Sequence, residues 1–430
     1  MDLFSPDFKP TPYWWEASPL EPEEDTDCPA QADVVVIGAG YTGLQAAIQS
    51  ARAGLDTVVL DAENAGFGCS SRNGGQISTS VKLSYGELAL RFGADLGGRI
   101  LGEGLASREY IRDFVKAEGI DCDFATVGRF HGMHKPALYE KTAREIAQPN
   151  PIFASGAYMV PRGEQHGEIG TDAYYGGVVH PHHASIDPGK YHRGLLQVAR
   201  KAGAQVISHS PVLRLARRGD GFEVTSARGV IRAGQVILAT NGYSGPLSPW
   251  HRRRVIPIGS YMMASAPIDR ALMDQLIPKN RILSDSRKLV YYYRASPDRR
   301  RILFGGRVSL SETDPRKSGP RLWREMVRIF PQLNETPISH SWAGTVGYSF
   351  DKLMHTGCDN GLYYAMGYCG SGVGMASYLG MRIGQQAAGL AEGASAFDEV
   401  PFPTMPLYRG NPWFLAPSVL VYRLRDRLGL

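Results

Sequence analysis

Val34-Val35-Val36-Ile37-Gly38-Ala39-Gly40-Tyr41-Thr42-Gly43 is the stretch on which the fold turns. Four β-branched residues in a row suit a strand buried on both faces, because a half-exposed strand alternates apolar with polar residues. Leu44, Ala47, Ile48 and Ala51 then recur at i, i+3, i+4 and i+7, one face of a helix that Gly54 is placed to end. A second apolar strand, Thr57-Val58-Val59-Leu60, finishes at Asp61 and completes a βαβ unit. In such a unit Gly38 permits the tight turn, Gly40 lets the backbone approach a pyrophosphate, and Gly43 lets helix pack on strand. The helix N-terminus, at Tyr41 and Thr42, faces the phosphates. Asp61, followed by Ala62, stands 18 residues beyond Gly43, where a carboxylate accepts hydrogen bonds from both ribose hydroxyls. The unit therefore reads as a dinucleotide-binding site, with NAD and FAD both open at this point.

The whole chain is consistent with an enzyme built around that unit. Its 430 residues, 43% hydrophobic and 21% charged, suffice for two to three domains with large cores. A net charge of +5 from scattered basic residues gives no nucleic-acid footprint. Five cysteines, an odd set with no CxxC spacing, support neither a disulfide framework nor a structural zinc site, and fit a reducing cytoplasm. No stretch approaches the ~18 apolar residues of a membrane span, and no secretory signal precedes the first strand. His180, His182 and His183 have no second cluster at ligand spacing and read as loop histidines, so no metal is expected.

Outward from the βαβ unit, residues 1–30 read as an N-terminal arm anchored by Tyr13-Trp14-Trp15. Helices are expected near 107–118 and over 190–202, and strands at 206–207, 212–215, 222–225, 230–231, 236–240, 291–294 and 302–306. Asp220-Gly221 and Arg228-Gly229 read as hairpin turns. The C-terminal Leu420, Leu424 and Leu428, with Arg423 and Arg427 beside them, have amphipathic helical spacing suited to docking on the body or on a second subunit.

Three further motifs separate FAD from NAD: residues 64–76 (Asn64-Ala65-Gly66-Phe67-Gly68-Cys69-Ser70-Ser71-Arg72-Asn73-Gly74-Gly75-Gln76), Ala239-Thr240-Asn241-Gly242-Tyr243, and the glycine-rich run from Gly367 to Gly374. With the first motif, this set resembles the FAD-dependent D-amino acid oxidase-like superfamily, within it the branch of glycine, sarcosine and gamma-glutamylputrescine oxidases. The resemblance runs from about Ala32 to Ala391. It implies an α/β fold: a discontinuous Rossmann-like FAD-binding domain (31–90, 186–250 and 340–395), a mixed α+β substrate domain with an antiparallel sheet (91–185 and 251–339), and a C-terminal extension (396–430).

Carried over residue by residue, the resemblance implies that Gly38, Gly40, Gly43 and Asp61 hold the ADP half of FAD and that Val212 meets the adenine through its backbone. Ser70, Ser71, Arg72, Asn73, Gly75 and Gln76 would run beside the flavin, with Ala239, Thr240, Asn241 and Gly344 also against the cofactor. Gly370, Ser371, Gly372 and Val373 would offer N–H groups to the flavin's pyrimidine end, where reduction builds negative charge. Cys369, in the same run, reads as a small buried residue rather than a reactive thiol.

The implied reaction is oxidation of a C–N bond by hydride transfer to flavin, followed by hydrolysis of the imine. Two carboxylate anchors of the family are missing, since Val346 stands where the glycine-oxidase pattern has arginine and Gly374 where the sarcosine-oxidase pattern has lysine. A secondary amine or N-substituted amino acid, of iminodiacid or gamma-glutamyl-amine type, is expected in place of a small α-amino acid. Arg72, Arg294 and Arg307 are the candidate replacement anchors, and Tyr261 and Tyr292 the aromatic candidates for the amine pocket. The expected partners are that small molecule and molecular oxygen. A dehydrogenase passing electrons to a quinone or carrier, an NAD enzyme, and a cofactor-sensing regulatory or interaction protein are the alternatives.

Overall fold

The computed structural model describes residues 2–22, 26–148, 150–307, 314–415, 417 and 418. The proposed helix with Leu420, Leu424 and Leu428 lies outside them. Two large sheets organise the chain. The first has the strand order Val212–Arg218, Gly221–Ser226, Gly229–Leu238, Gln31–Ile37, Thr57–Leu60, Gln205–Ile207, with Leu362–Met366 and His355–Asp359 branching from Gly229–Leu238. Gln31–Ile37 lies at its centre, parallel to Thr57–Leu60 on one side (Val34 opposite Thr57, Ile37 opposite Leu60) and to Gly229–Leu238 on the other. Its four β-branched residues are buried because helices cover one face and a layer containing Val255 and Phe402 covers the other. The strand Gly229–Leu238 joins the two runs expected at 230–231 and 236–240: pairing on both edges carries the backbone through Ala233-Gly234-Gln235 without help from side-chain propensity.

The helix Tyr41–Arg52 crosses from the first strand to the next and packs against Gly372–Ala387 near the other end of the chain. Gly380 and Gly384 make that contact possible, since a Cβ at either would lie 2.5 Å from the carbonyl oxygen of Thr42 or Ala46. Two helix N-termini, at Tyr41 and Gly372, are thereby held by one interface.

The second sheet runs Phe4–Lys9, Ile338–Tyr348, Ile256–Ser265, Ile302–Gly306, Tyr292–Ala295, Ile282–Asp285, Arg129–Gly132, Gly177–His180, Tyr158–Val160. Two of its strands depart from the sequence reading. The arm supplies the edge strand Phe4–Lys9, where Pro6 is tolerated because an edge N–H has no ladder partner to lose. Ile338–Tyr348 pairs with Ile256–Ser265 from Ile338 to Tyr348, so the segment from 340 begins in this sheet rather than in the first. The helix expected near 107–118 is longer, Ala94–Ala117, because Gly97 and Gly104, which weaken helix propensity, are contact points against Leu88-Ala89 and Thr79. No helix among the described residues is long and apolar enough to cross a membrane.

Candidate functional site

The first sheet ends in an anion cradle. Gly38 leaves its strand at φ +107° and donates its N–H to Leu60 at 2.8 Å. The helix begins at Tyr41 on Gly40, with no side-chain cap; Ser70 Oγ accepts the Tyr41 N–H at 3.0 Å, while the N–H groups of Thr42 and Gly43 have no partner among the described residues. A Cβ on Gly43 would fall inside the carbonyl of Gly38, so this position enforces the close turn. Asp61 sits at the end of the neighbouring strand, its carboxylate accepting N–H groups of Ala39 (2.7 Å) and Glu63 (3.0 Å). A carboxylate offers about four acceptor sites, which leaves two for a ribose diol. Burial raises the Asp61 carboxyl above its ordinary range, opposed by those two N–H bonds. Val212 opens its strand two residues after Ser210, whose N–H donates to the Asp61 carbonyl, so it lies at the same end, as does exposed Ala62. Thr42 Oγ1 meets Tyr368 Oη at 2.6 Å, and Tyr41 Oη donates to the Pro188 carbonyl.

Residues 66–77 lie between the two sheets, and three indoles hold them. Trp15 Nε1 donates to Ser71 Oγ, Trp342 Nε1 to the Arg72 carbonyl and Trp14 Nε1 to the Asn73 carbonyl, each at 2.8 Å. Three consecutive residues are thus fixed by donors from the arm and from the second sheet. Asn73 closes the loop on itself, donating to the carbonyls of Cys69 and Ser70 and accepting the Gly75 N–H at 2.8 Å. Gln76 Nε2 donates to the carbonyls of Leu283 and Tyr293.

Strand alternation sorts the second sheet into two faces. Phe130, Leu283, Tyr293, Phe304, Tyr261 and Met263 form a closed core. The opposite face carries, in register across the strands, His131, Ser284, Tyr292, Gly305, Met262 and Trp342. This face looks onto the loop, since a Cβ on Gly74 would touch the Tyr292 ring at 2.9 Å and lie 3.7 Å from Met262. His131, Tyr292, Ser260, Gly344 and Val346 share this face and keep accessible surface, so they line a cleft. Ser260 Oγ and Tyr292 Oη pair at 2.9 Å, and burial pushes the Tyr292 hydroxyl up to about 12. At the cleft's other side Arg307 stacks over Tyr348 at 4.6 Å, and Lys82 donates to the Cys369 carbonyl. Beyond Cys369, the helix Gly372–Ala387 starts after Ser371 with no side-chain cap, leaving the Gly372 and Val373 N–H groups without partners among the described residues.

The model of a family described as FAD dependent oxidoreductase matches residues 33–386. Gamma-glutamylputrescine oxidoreductase from Escherichia coli (strain K12) is 32% identical over 406 residues, covering 93% of each chain. Probable oxidoreductase OrdL from Rhizobium meliloti (strain 1021) is 31% identical over 428 residues, covering 96% of this chain and 97% of the relative. Among solved structures, glycine oxidase from Geobacillus kaustophilus superposes with a TM-score of 0.70 at 17% identity, covering 88% of this chain and 99% of that one.

The chain belongs to the FAD-dependent oxidoreductase family. It is an enzyme of the amine and amino acid oxidoreductase group, with FAD as its cofactor. The residues in place fit that group: unpaired N–H donors at two helix starts, a carboxylate with acceptor capacity to spare, and a loop with its backbone fixed between the sheets.

Several side chains expected at the flavin or the substrate are occupied in other ways. Tyr261 is fully buried on the closed face, because period-two alternation points it away from Ser260 and Met262; it is a core residue. Arg294 donates to the carbonyls of Gly75 (3.1 Å), Ile186 (2.8 Å) and Ala295 (3.0 Å) and braces the loop from beneath. Arg72 donates to the carbonyls of Phe67 and Ala343 and stacks on Phe67 and Trp15. The Ser71 hydroxyl is committed between the Gly66 carbonyl and Trp15. Asn241, at φ +42°, accepts the Gly367 N–H and ties the end of its strand, after Ala239 and Thr240, to the glycine-rich run. Gly344 lies against Cys69. Gly370, at φ +88°, lies beside the Tyr348 hydroxyl. Cys369 is wholly buried, its thiol raised by desolvation and donating to the Gly367 carbonyl, which suits packing rather than nucleophilic attack. Among the described residues no three His, Cys, Asp or Glu converge as a ligand set.

Sequence reasoning missed Ser260, Met262, Ser284 and His131, which belong to no motif. The polar-apolar alternation of Arg129-Phe130-His131 was a usable signal for a two-faced strand, but which face meets the cofactor depends on strand order.

Proposed function

We propose that this enzyme oxidises the C–N bond of an amine whose carboxylate lies far from the reacting carbon, of the gamma-glutamyl-amine or other N-substituted amino acid type. The observation that carries the reading is the uncharged lining that Ser260, Tyr292, Gly344 and Val346 offer beside the loop, with the cation acting on Tyr292, Arg307, engaged over the Tyr348 ring. An α-carboxylate next to the oxidised carbon needs a cation there, and a long substrate does not. Full-length likeness to a gamma-glutamylputrescine oxidoreductase agrees.

Bound FAD supplies the two-electron acceptor. The chain's part is to hold the amine, unprotonated, over the flavin loop and to exclude bulk water. The Ser260–Tyr292 pair is suited to orienting the amine nitrogen: with Tyr292 held protonated by burial, one hydroxyl hydrogen bonds within the pair and the other is free. Loss of one hydride, which carries both electrons, from the substrate carbon and of one proton from its nitrogen gives an imine, which water hydrolyses to a carbonyl compound and the free amine or ammonia. N–H groups at the start of Gly372–Ala387 suit the negative charge of the reduced cofactor. Molecular oxygen is the proposed acceptor, taking two electrons and two protons to give hydrogen peroxide. Five free thiols suit a reducing compartment, the cytoplasm.

Oxygen uptake tests this directly. With γ-glutamylputrescine the enzyme is expected to consume oxygen and release peroxide one for one. Turnover only in the presence of a quinone would replace the oxidase by a dehydrogenase, and no turnover with any amine under either condition would refute the reading.

A further inference from the structure

On the cleft face of the second sheet, two strands beyond Tyr292, lies a group of basic side chains that the proposed chemistry leaves unused. Arg129 stands opposite His180 in the antiparallel pair of Arg129–Gly132 with Gly177–His180, and His131 follows on the same face. Arg129 Nη2 donates to Gln76 Oε1 at 3.2 Å, but its Nε is buried without a hydrogen-bond partner, and no carboxylate pairs with it among the described residues. His183 stacks on His180 with ring centroids 4.8 Å apart, and its Nδ1 is likewise buried and unpartnered. His131 is held by Ser284 Oγ at 2.8 Å.

A desolvated guanidinium with no counter-ion is an expensive feature to keep. Burial pushes Arg129 down to about 10. Burial first, and Arg129 next, lower His131 to about 3 and His180 to about 4, so the imidazoles are neutral and Arg129 carries the charge. The titratable neighbours acting on His183 are Arg129, Arg108, His180 and His182, all basic and none a carboxylate. Such a group is complete only with an anion.

We propose that Arg129, surrounded by His131, His180 and His183, binds a carboxylate at the far end of the amine substrate. The inference rests on the amine-oxidising role proposed above and specifies its substrate. Arg129–Gly132 is two strand spacings, roughly 10 Å, from Tyr292–Ala295. A γ-glutamyl-diamine has about ten bonds between its carboxylate and its oxidised carbon, and extends roughly 12 Å at the ~3.6 Å that three backbone bonds cover. It spans from Arg129 to Tyr292. Glycine or sarcosine, whose carboxylate is one to three bonds from any carbon that could react, does not.

Calorimetric titration of the FAD-loaded enzyme with γ-glutamylbutylamide, which keeps the carboxylate but has no terminal amine to oxidise, isolates the anchor from catalysis. The comparison ligand is 4-amino-N-butylbutanamide, the same molecule without the carboxylate. Wild type is expected to bind the first roughly 100-fold more tightly. Arg129→Gln is expected to abolish the difference, and Arg129→Lys to restore about a tenth of it, charge without the fork. Melting temperature and flavin spectrum check the fold, and if Arg129→Gln loses its flavin, the roughly tenfold weakening in Arg129→Lys carries the test. Equal binding of the two ligands by wild type, or discrimination untouched in the variants, overturns the proposal. Discrimination that persists in an enzyme inactive towards every amine supports the anchor and refutes only the oxidase reading.

Discussion

The buried imidazoles around Arg129 give the molecule a pH dependence with a defined sign. His180 has its pKa lowered to about 4 in the folded state, while its ordinary value is 6.5. Between those values the unfolded chain binds the proton and the folded one does not, so the contribution is present above pH 6.5 and is lost as pH falls towards 4. Asp187 and Asp285, raised to about 6 by burial, gain stability as pH falls over part of the same window and mask it in wild type alone. The difference between wild type and His180→Gln removes them. From pH 7.5 to 5, wild type is expected to lose about 2 kcal/mol more than the variant in denaturant unfolding; parallel curves would show that His180 is not held neutral. Side chains at this scale are also where the sequence misleads. Tyr261 and Tyr292 are both tyrosines, on strands that flank Ile302–Gly306, yet one is core and one faces the cleft, and only the strand alternation read with the sheet's orientation distinguishes them. Arg294 likewise belongs to a motif-adjacent strand, but it donates to backbone carbonyls that no spacing rule reveals.

Among the elements, the loop 66–77 depends most on remote chain. Its glycines and polar residues carried the resemblance to a cofactor motif, whereas its support was not legible, because Trp14, Trp15 and Trp342 come from residues 56 to 270 positions away. The cluster Tyr13-Trp14-Trp15 was readable as an anchor, and the structure identifies what it anchors. Replacing Trp14 by Phe leaves the Asn73 carbonyl without its donor and a gap in a fully buried site. An unsatisfied buried carbonyl costs about 1–3 kcal/mol, so FAD is expected to dissociate roughly tenfold more readily, read by the fluorescence of released flavin. Unchanged retention would show that the indoles pack without positioning the loop. The helix Gly372–Ala387 follows the glycine-rich run that the sequence marks, but its docking through Gly380 and Gly384 onto Thr42 and Ala46 required the helices to be seen together.

For the molecule as a whole, the central βαβ unit was legible because strand, turn, helix and acid are contiguous and each obeys a local rule. The second sheet was not, since its nine strands are drawn from residues 4 to 348 and neighbours in space are distant in sequence. The arm's edge strand and the transfer of Ile338–Tyr348 to that sheet follow from pairing alone. That sheet turns one closed face to the helix Pro315–Ile329 and one open face to the loop 66–77, with the Ser260–Tyr292 hydroxyl pair on it and the Arg129 guanidinium two strands away. We propose that this spacing selects a long carboxylated amine. The most direct measurement is the anaerobic bleaching of the bound flavin, titrated in parallel with γ-glutamylputrescine and with sarcosine. Half-maximal bleaching rates are expected at γ-glutamylputrescine concentrations roughly 100-fold lower than for sarcosine. Bleaching by sarcosine at equal or lower concentration would contradict it.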